Sequence, residues 1–86
     1  MFPLLFEFIG TFIFFYVIAK VGKPIPIAVS LLAAIYFGAA VSGAHFNPGV
    51  SFMMYLLQKI NWTTFVQYVA VQLMAAGTVV LLSKST

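Results

Sequence analysis

With 86 residues, 64% of them hydrophobic and 6% charged, and a mean hydropathy of +1.15, the chain is too apolar for water, since a soluble domain is about half apolar and about a quarter charged. Apart from tyrosines its ionisable side chains are Glu7, Lys20, Lys23, His45, Lys59 and Lys84; these cannot coat a globule, so lipid is the solvent of most of its surface. The net charge of +3 comes from scattered lysines with no arginine and no basic run, and there is no cysteine, which leaves no nucleic-acid footprint and excludes disulfides and thiolate metal sites.

The first apolar segment, residues 3–19, reaches about 25 Å as a helix, a slightly short span. It lacks a basic leader and is longer than the apolar core of a cleaved signal. Lys20, Gly22, Lys23, Pro24 and Pro26 predict a turn at the water boundary, with proline opening the next helix. The second span covers residues 25–41. Ser30, Ala34, Gly38 and Ser42 recur every four residues, a small-residue stripe that lets another helix approach closely.

Ser42 to Gly49 reads SGAHFNPG and breaks the helical pattern. The apolar run after it, Gly49 to Ile60, is about 12 residues long, too short to span. Irregular backbone at membrane depth is tolerated only when buried in protein or lining a watery cavity, so residues 42–58 predict a re-entrant loop that returns as a half-helix. Lys59, Asn61, Trp62 and Thr63 mark a second interface. The last span covers residues 64–82, with Tyr68, Gln72 and Ala76 on one face, and Ser83–Thr86 end the chain in water. The fold class is therefore all-α: three transmembrane helices plus one re-entrant half-helix, forming one unit over residues 1–86.

Asn47-Pro48 carries the chemistry. Asparagine is a preferred N-cap and proline a preferred first helical residue, so a helix starts here inside the membrane. The Asn47 side-chain oxygen is expected to accept from a backbone N–H of the first turn, leaving the NH2 as donors off the helix tip. The tip carries partial positive charge. Such an arrangement receives a water or hydroxyl oxygen and repels cations, as in water-selective pores.

SGAHFNPGVSF resembles the first pore loop of the aquaporin and aquaglyceroporin family, whose pattern is SGAHxNPAVT. Glu7 to Phe12 (EFIGTF) resembles the EFxGTF of that family's first helix, Ala34 to Gly38 (AIYFG) leads into the loop with the family's spacing, and Tyr68 to Leu73 (YVAVQL) resembles the YxxAQ of its third helix. These matches fall in order over nearly the whole chain, and they are to the first of the family's two inverted repeats. AIYFGAAVSGAHFNP leans to the glycerol-facilitator side. The resemblance implies that Asn47 and Pro48 sit at the pore midpoint, that Glu7 braces loops beside the pore, and that His45 lies just before the half-helix. By spacing, Ile27 falls at a narrow filter. Gly10, Thr11, Gly43, Tyr68 and Gln72 are expected to build the scaffold. Three departures stand out. Gly49 replaces the motif's alanine and loosens the first helical turn. One repeat is supplied where the family has two. Val50 stands where the second repeat carries an arginine, so the cationic filter donor is missing unless a partner brings it.

A pore of this kind needs two half-helices meeting tip to tip from opposite sides, related by an axis in the membrane plane. The expected partners are lipid, water or a small neutral solute, and an antiparallel second copy or a complementary repeat, with higher oligomers as an extension. The α-amine and Lys59 fall on one side, Lys20, Lys23 and Lys84 on the other; this near balance allows insertion both ways. No nucleophile–base constellation points to an enzyme, and no cofactor or metal is expected. His45 reads as a hydrogen-bonded packing residue, and the phenylalanines as lipid-facing bulk. Two rival readings are a small dual-topology transporter that uses Glu7, and a non-conducting half-channel that docks on a full-length relative.

Overall fold

The computed structural model describes residues 2–85 as four helices in the order α1 (Phe2–Lys20), α2 (Pro24–Ser42), α3 (Pro48–Leu56) and α4 (Trp62–Ser85). Met1, whose α-amine enters the charge count, and Thr86, the end of the polar tail, lie outside the described residues. Helix ends follow local chemistry. Gly22, in the left-handed region at φ 68°, closes α1 with its N–H on the carbonyl of Val17. Pro24 opens α2, and Gly43 at φ 86° ends it with its N–H on the carbonyl of Ala39. Both glycines hold a conformation that a side chain disfavours. Asn61 caps α4 by accepting the Thr64 N–H at 2.8 Å, so this helix begins at Trp62 and runs past residue 82, longer at both ends than its apolar core.

α1 is the hub. It packs on α2 and on α4, and α3 packs on α4. The small-residue stripe of α2 turns towards α1, with Gly38 and Ser42 buried and Ser30 and Ala34 half-buried. α3 is fastened to α4 by an aromatic cluster: Tyr55 stacks on Phe65 at 5.4 Å, and Trp62 and Phe52 reach the same ring at 5.5 and 5.9 Å. Such ring pairs add about 0.5–1.5 kcal/mol each beyond their buried area.

The inside is polar and the outside apolar. Glu7, Thr11, Ser42, His45, Ser51 and Gln72 are buried, whereas Ile9, Ile13, Leu32, Tyr36, Phe37 and Leu81 are among the exposed hydrophobics. α1, α2 and α4 are each long and apolar enough to cross a membrane, and the molecule's long dimension is 38 Å, against about 30 Å for a hydrocarbon core. The chain is an integral membrane protein. α3, with nine residues, reaches only about 14 Å and cannot cross.

One expectation needs correction. Phe46 is not lipid-facing bulk: it is 1% exposed. A Cβ built on Gly10 would lie 2.2 Å from the Phe46 ring, and one built on Gly38 would lie 2.8 Å from it. The ring is therefore seated on two glycines, one from each of the first two spans, and only glycine leaves room for it.

Exposed Gly77 offers the opposite case. A Cβ there meets nothing within 4 Å, so Gly77→Ala should stabilise α4 by about 0.5–1 kcal/mol through helix propensity alone. Gly49→Ala is expected to gain less, because its Cβ would lie 3.0 Å from the Asn47 side-chain oxygen and crowd the cap. Denaturant unfolding followed by the fluorescence of the single tryptophan, Trp62, checks both.

Candidate functional site

The loop between α2 and α3 is short and bent against the preferences of its residues. Ala44 at φ 56° and Phe46 at φ 53° both sit in the left-handed region, which costs a non-glycine residue about 1–2 kcal/mol. Something must hold the bend, and Glu7 does. Its carboxylate is 0% exposed and accepts four hydrogen bonds: the His45 N–H (3.0 Å) and the Ser42 hydroxyl (2.6 Å) on Oε2, and the Phe46 N–H (2.8 Å) and the Gln72 amide (3.0 Å) on Oε1. Two of the four come from the strained loop backbone itself. Hydrogen bonds to an ionised acceptor are roughly twice as strong as neutral ones, which suits the task.

A ring of side chains extends this brace to α3 and α4. Gln72 gives one amide hydrogen to Glu7 and the other to the Ser51 hydroxyl at 3.0 Å. Ser51 Oγ is also 2.8 Å from His45 Nδ1 and shares a hydrogen bond with it. The His45 backbone closes the ring on Glu7. Turning the Gln72 amide over would set its oxygen against the Glu7 carboxylate. The orientation is thereby fixed, and Gln72 Oε1, like Thr11 Oγ1, has no hydrogen-bond partner among the described residues. Tyr68 donates its hydroxyl to the Ser42 carbonyl at 2.7 Å and packs its ring on His45 at 4.9 Å. Glu7, Ser42, His45, Ser51, Tyr68 and Gln72 thus form one polar core joining all four helices.

Asn47 projects from this core. It has extended backbone and caps α3, its side-chain oxygen accepting the Gly49 N–H at 2.6 Å. Pro48 occupies the first helical position. Asn47 and Gly49 are exposed, and Pro48 and Val50 are half-buried. The side-chain NH2, with two donor hydrogens, stands at the positive end of α3. Ile27 is half-buried in the first turns of α2, well away along the chain from the Asn47 tip.

The structure brings Glu7, His45, Tyr68 and Gln72 together in the brace, with Gly10 and Thr11 buried on the same face of α1 and Gly43 at the α2 cap. Reading residues alone missed Ser51 and Phe46. Ser51 had a signal: it stands four residues after Asn47, one turn into a helix whose start was legible. Phe46 had the signal of two helix-interior glycines, Gly10 and Gly38, each unfavourable in a helix unless something needs the space.

Comparison with known proteins gives one consistent group. The chain is 33% identical to aquaporin-B of Dictyostelium discoideum over 84 aligned positions, which cover 81% of this chain and 29% of that protein. It is 29% identical to aquaporin PIP1-3 of Arabidopsis thaliana, covering 81% and 30%, and 39% identical to human aquaporin-10 over 49 residues, covering 57% and 16%. The chain thus spans less than a third of the length of these relatives. No family model matches it, and no solved structure does.

Proposed function

We propose that this chain, a relative of the aquaporins over most of its length, builds one half of a passive channel for water or small neutral solutes such as glycerol, and that an inverted copy or a complementary half completes the pore. The observation that carries the reading is the exposed Asn47 amide. It caps a helix too short to cross the membrane, at the end of a loop held in place by a buried carboxylate. In such a pore the Asn47 NH2 donates to the oxygen of the permeant while the helix end repels cations. Pro48 and Gly49 shape the tip, and Val50 and Ile27 contribute apolar wall. His45 acts through Ser51, and the scaffold roles fall to Glu7, Gly10, Thr11, Gly43, Tyr68 and Gln72. No bond is made or broken, so the activity is not enzymatic.

The Glu7 geometry weighs against a proton-coupled transporter. Both carboxylate oxygens are already engaged in holding the loop and α4. A carrier carboxylate needs access from each side, whereas Glu7 is sealed.

Liposomes holding the purified chain, observed by stopped-flow shrinkage in water and glycerol gradients, test the proposal. Shrinkage well above that of bare lipid is expected. Asn47→Asp should slow it about five- to tenfold. Aspartate still caps a helix, so the fold is kept, but the two NH2 donors are lost, and a hydrogen bond of about 1 kcal/mol in the barrier is worth roughly that factor. Shrinkage no faster than bare lipid, from protein shown to be inserted and folded, would favour instead a non-conducting half-channel that docks on a full-length relative.

A further inference from the structure

α1 and α2 leave a groove of about 340 Å³ between them. Its walls are Ile9 and Ile13 from α1 and Ala33, Ala34 and Phe37 from α2, and the ring of Phe46 forms part of its lining. Ser30, at one end, turns its hydroxyl to the Ile27 carbonyl at 2.8 Å, so the groove keeps an apolar surface. In a membrane this space is filled by lipid or by protein. A single hydrocarbon chain fits it: a methylene is about the size of a water molecule, whose share of liquid volume is roughly 30 Å³, so the groove takes on the order of ten of them.

Two cations stand beyond the groove, at the α1–α2 turn. Lys20 closes α1 and Lys23 precedes Pro24 at the start of α2, and both are exposed. Each stands seven residues along the chain from a groove residue, Ile13 and Ser30 respectively, which is about 10 Å at helical rise. That separation matches a headgroup at the interface with its chain reaching down into hydrocarbon. The chain carries no side-chain carboxylate other than Glu7, and Glu7 is committed to four internal hydrogen bonds. The two lysines therefore have no acidic side chain in this protein to balance them, and a lipid phosphate supplies the missing charge. We infer that the α1–α2 groove is a binding site for an anionic phospholipid, with the headgroup on Lys20 and Lys23 and one acyl chain between the helices against Phe46. This does not depend on the chain conducting anything.

Quenching by brominated lipid tests it. In a Trp62→Phe background, Ile13→Trp puts the only tryptophan on the groove wall, and Leu32→Trp puts it on the more exposed outer face of α2. Vesicles of one fixed phosphatidylglycerol and phosphatidylcholine composition carry the bromine on either lipid. Phosphatidylglycerol should quench the groove tryptophan at least about fivefold more per mole than phosphatidylcholine, the scale of two lysines near a phosphate. Lys20→Gln/Lys23→Gln, which alters no buried group, should bring the two lipids to near parity, and Leu32→Trp should show little preference. Equal quenching by both lipids in the groove would overturn the site. So would an equal phosphatidylglycerol preference at Leu32→Trp, which would mean bulk attraction, or no groove quenching by either lipid, which would mean that protein fills the space.

Discussion

Glu7→Gln is expected to release the loop carrying Asn47 and to be among the most damaging single substitutions in the chain. A glutamine offers one acceptor oxygen and one NH2 donor. Whichever way the amide turns, the NH2 faces a pair of donors: Ser42 and His45 on one side, or Phe46 and Gln72 on the other. Ser42 has an escape, because its hydroxyl is 3.4 Å from the Gly38 carbonyl; of the backbone donors, the His45 N–H is orphaned in the first orientation and the Phe46 N–H in the second. Each buried donor left unpaired costs about 1–3 kcal/mol, and the strain at Ala44 and Phe46 is then no longer opposed. Against a total stability of about 5–15 kcal/mol the expected loss is about 2–5 kcal/mol. Hydrogen exchange provides the readout: the His45 and Phe46 amides should lose protection while amides in the middle of α1 and α4 keep theirs. A transporter that used Glu7 only as a proton carrier would lose coupling with no change in those amides, so the same variant separates the two readings.

Gly10→Ala should destabilise the protein by about 1–3 kcal/mol, the usual cost of forcing extra volume into a packed site. The added methyl would stand 2.2–2.8 Å from three ring carbons of Phe46, and the ring cannot simply withdraw, because its other edge already rests on Gly38. Phe46→Ala alone should also be costly, about 3–5 kcal/mol for an emptied site. The pair together should cost less than the sum, by about 0.5–3 kcal/mol, as expected of residues in direct contact. Denaturant titrations of the parent, the two single variants and the double variant measure this coupling. Strict additivity would mean that the ring and the glycine do not share the space.

These two sites show what the sequence makes legible. The spans follow from apolar length, and the start of α3 follows from Asn47-Pro48, because cap and proline preferences are local and act within one turn. A carboxylate in an apolar segment marks Glu7 as a residue that demands partners, and its role as a brace was implied by the family resemblance. The ordering of those partners was not: that Gln72 reaches Ser51, and Ser51 reaches His45, depends on how four helices pack. Phe46 was hidden for a different reason. In a soluble protein, burial separates a core phenylalanine from an exposed polar surface; in lipid both surroundings are apolar, and ten phenylalanines look alike. The bend of the loop gave no sign either, since alanine and phenylalanine do not advertise a positive φ as glycine or asparagine would. The α1–α2 groove is a matter of how two helices pack, to which composition is blind.

The brace also sets a clock on assembly. Glu7 lies 35 to 39 residues from its loop donors and 65 from Gln72. At a synthesis rate of about 5–20 residues per second, the last donor emerges roughly 3–13 seconds after the carboxylate does. A lone acidic side chain costs about 2.5–3.5 kcal/mol at the centre of a span, an upper bound for Glu7, which lies nearer one end of α1. Ser42, His45 and Phe46 follow after 35 to 39 residues and relieve most of that penalty, and Gln72 completes the set only with α4. The seating of α1 in the bilayer thus firms in two stages, first when the loop after α2 folds back on it and then when α4 arrives.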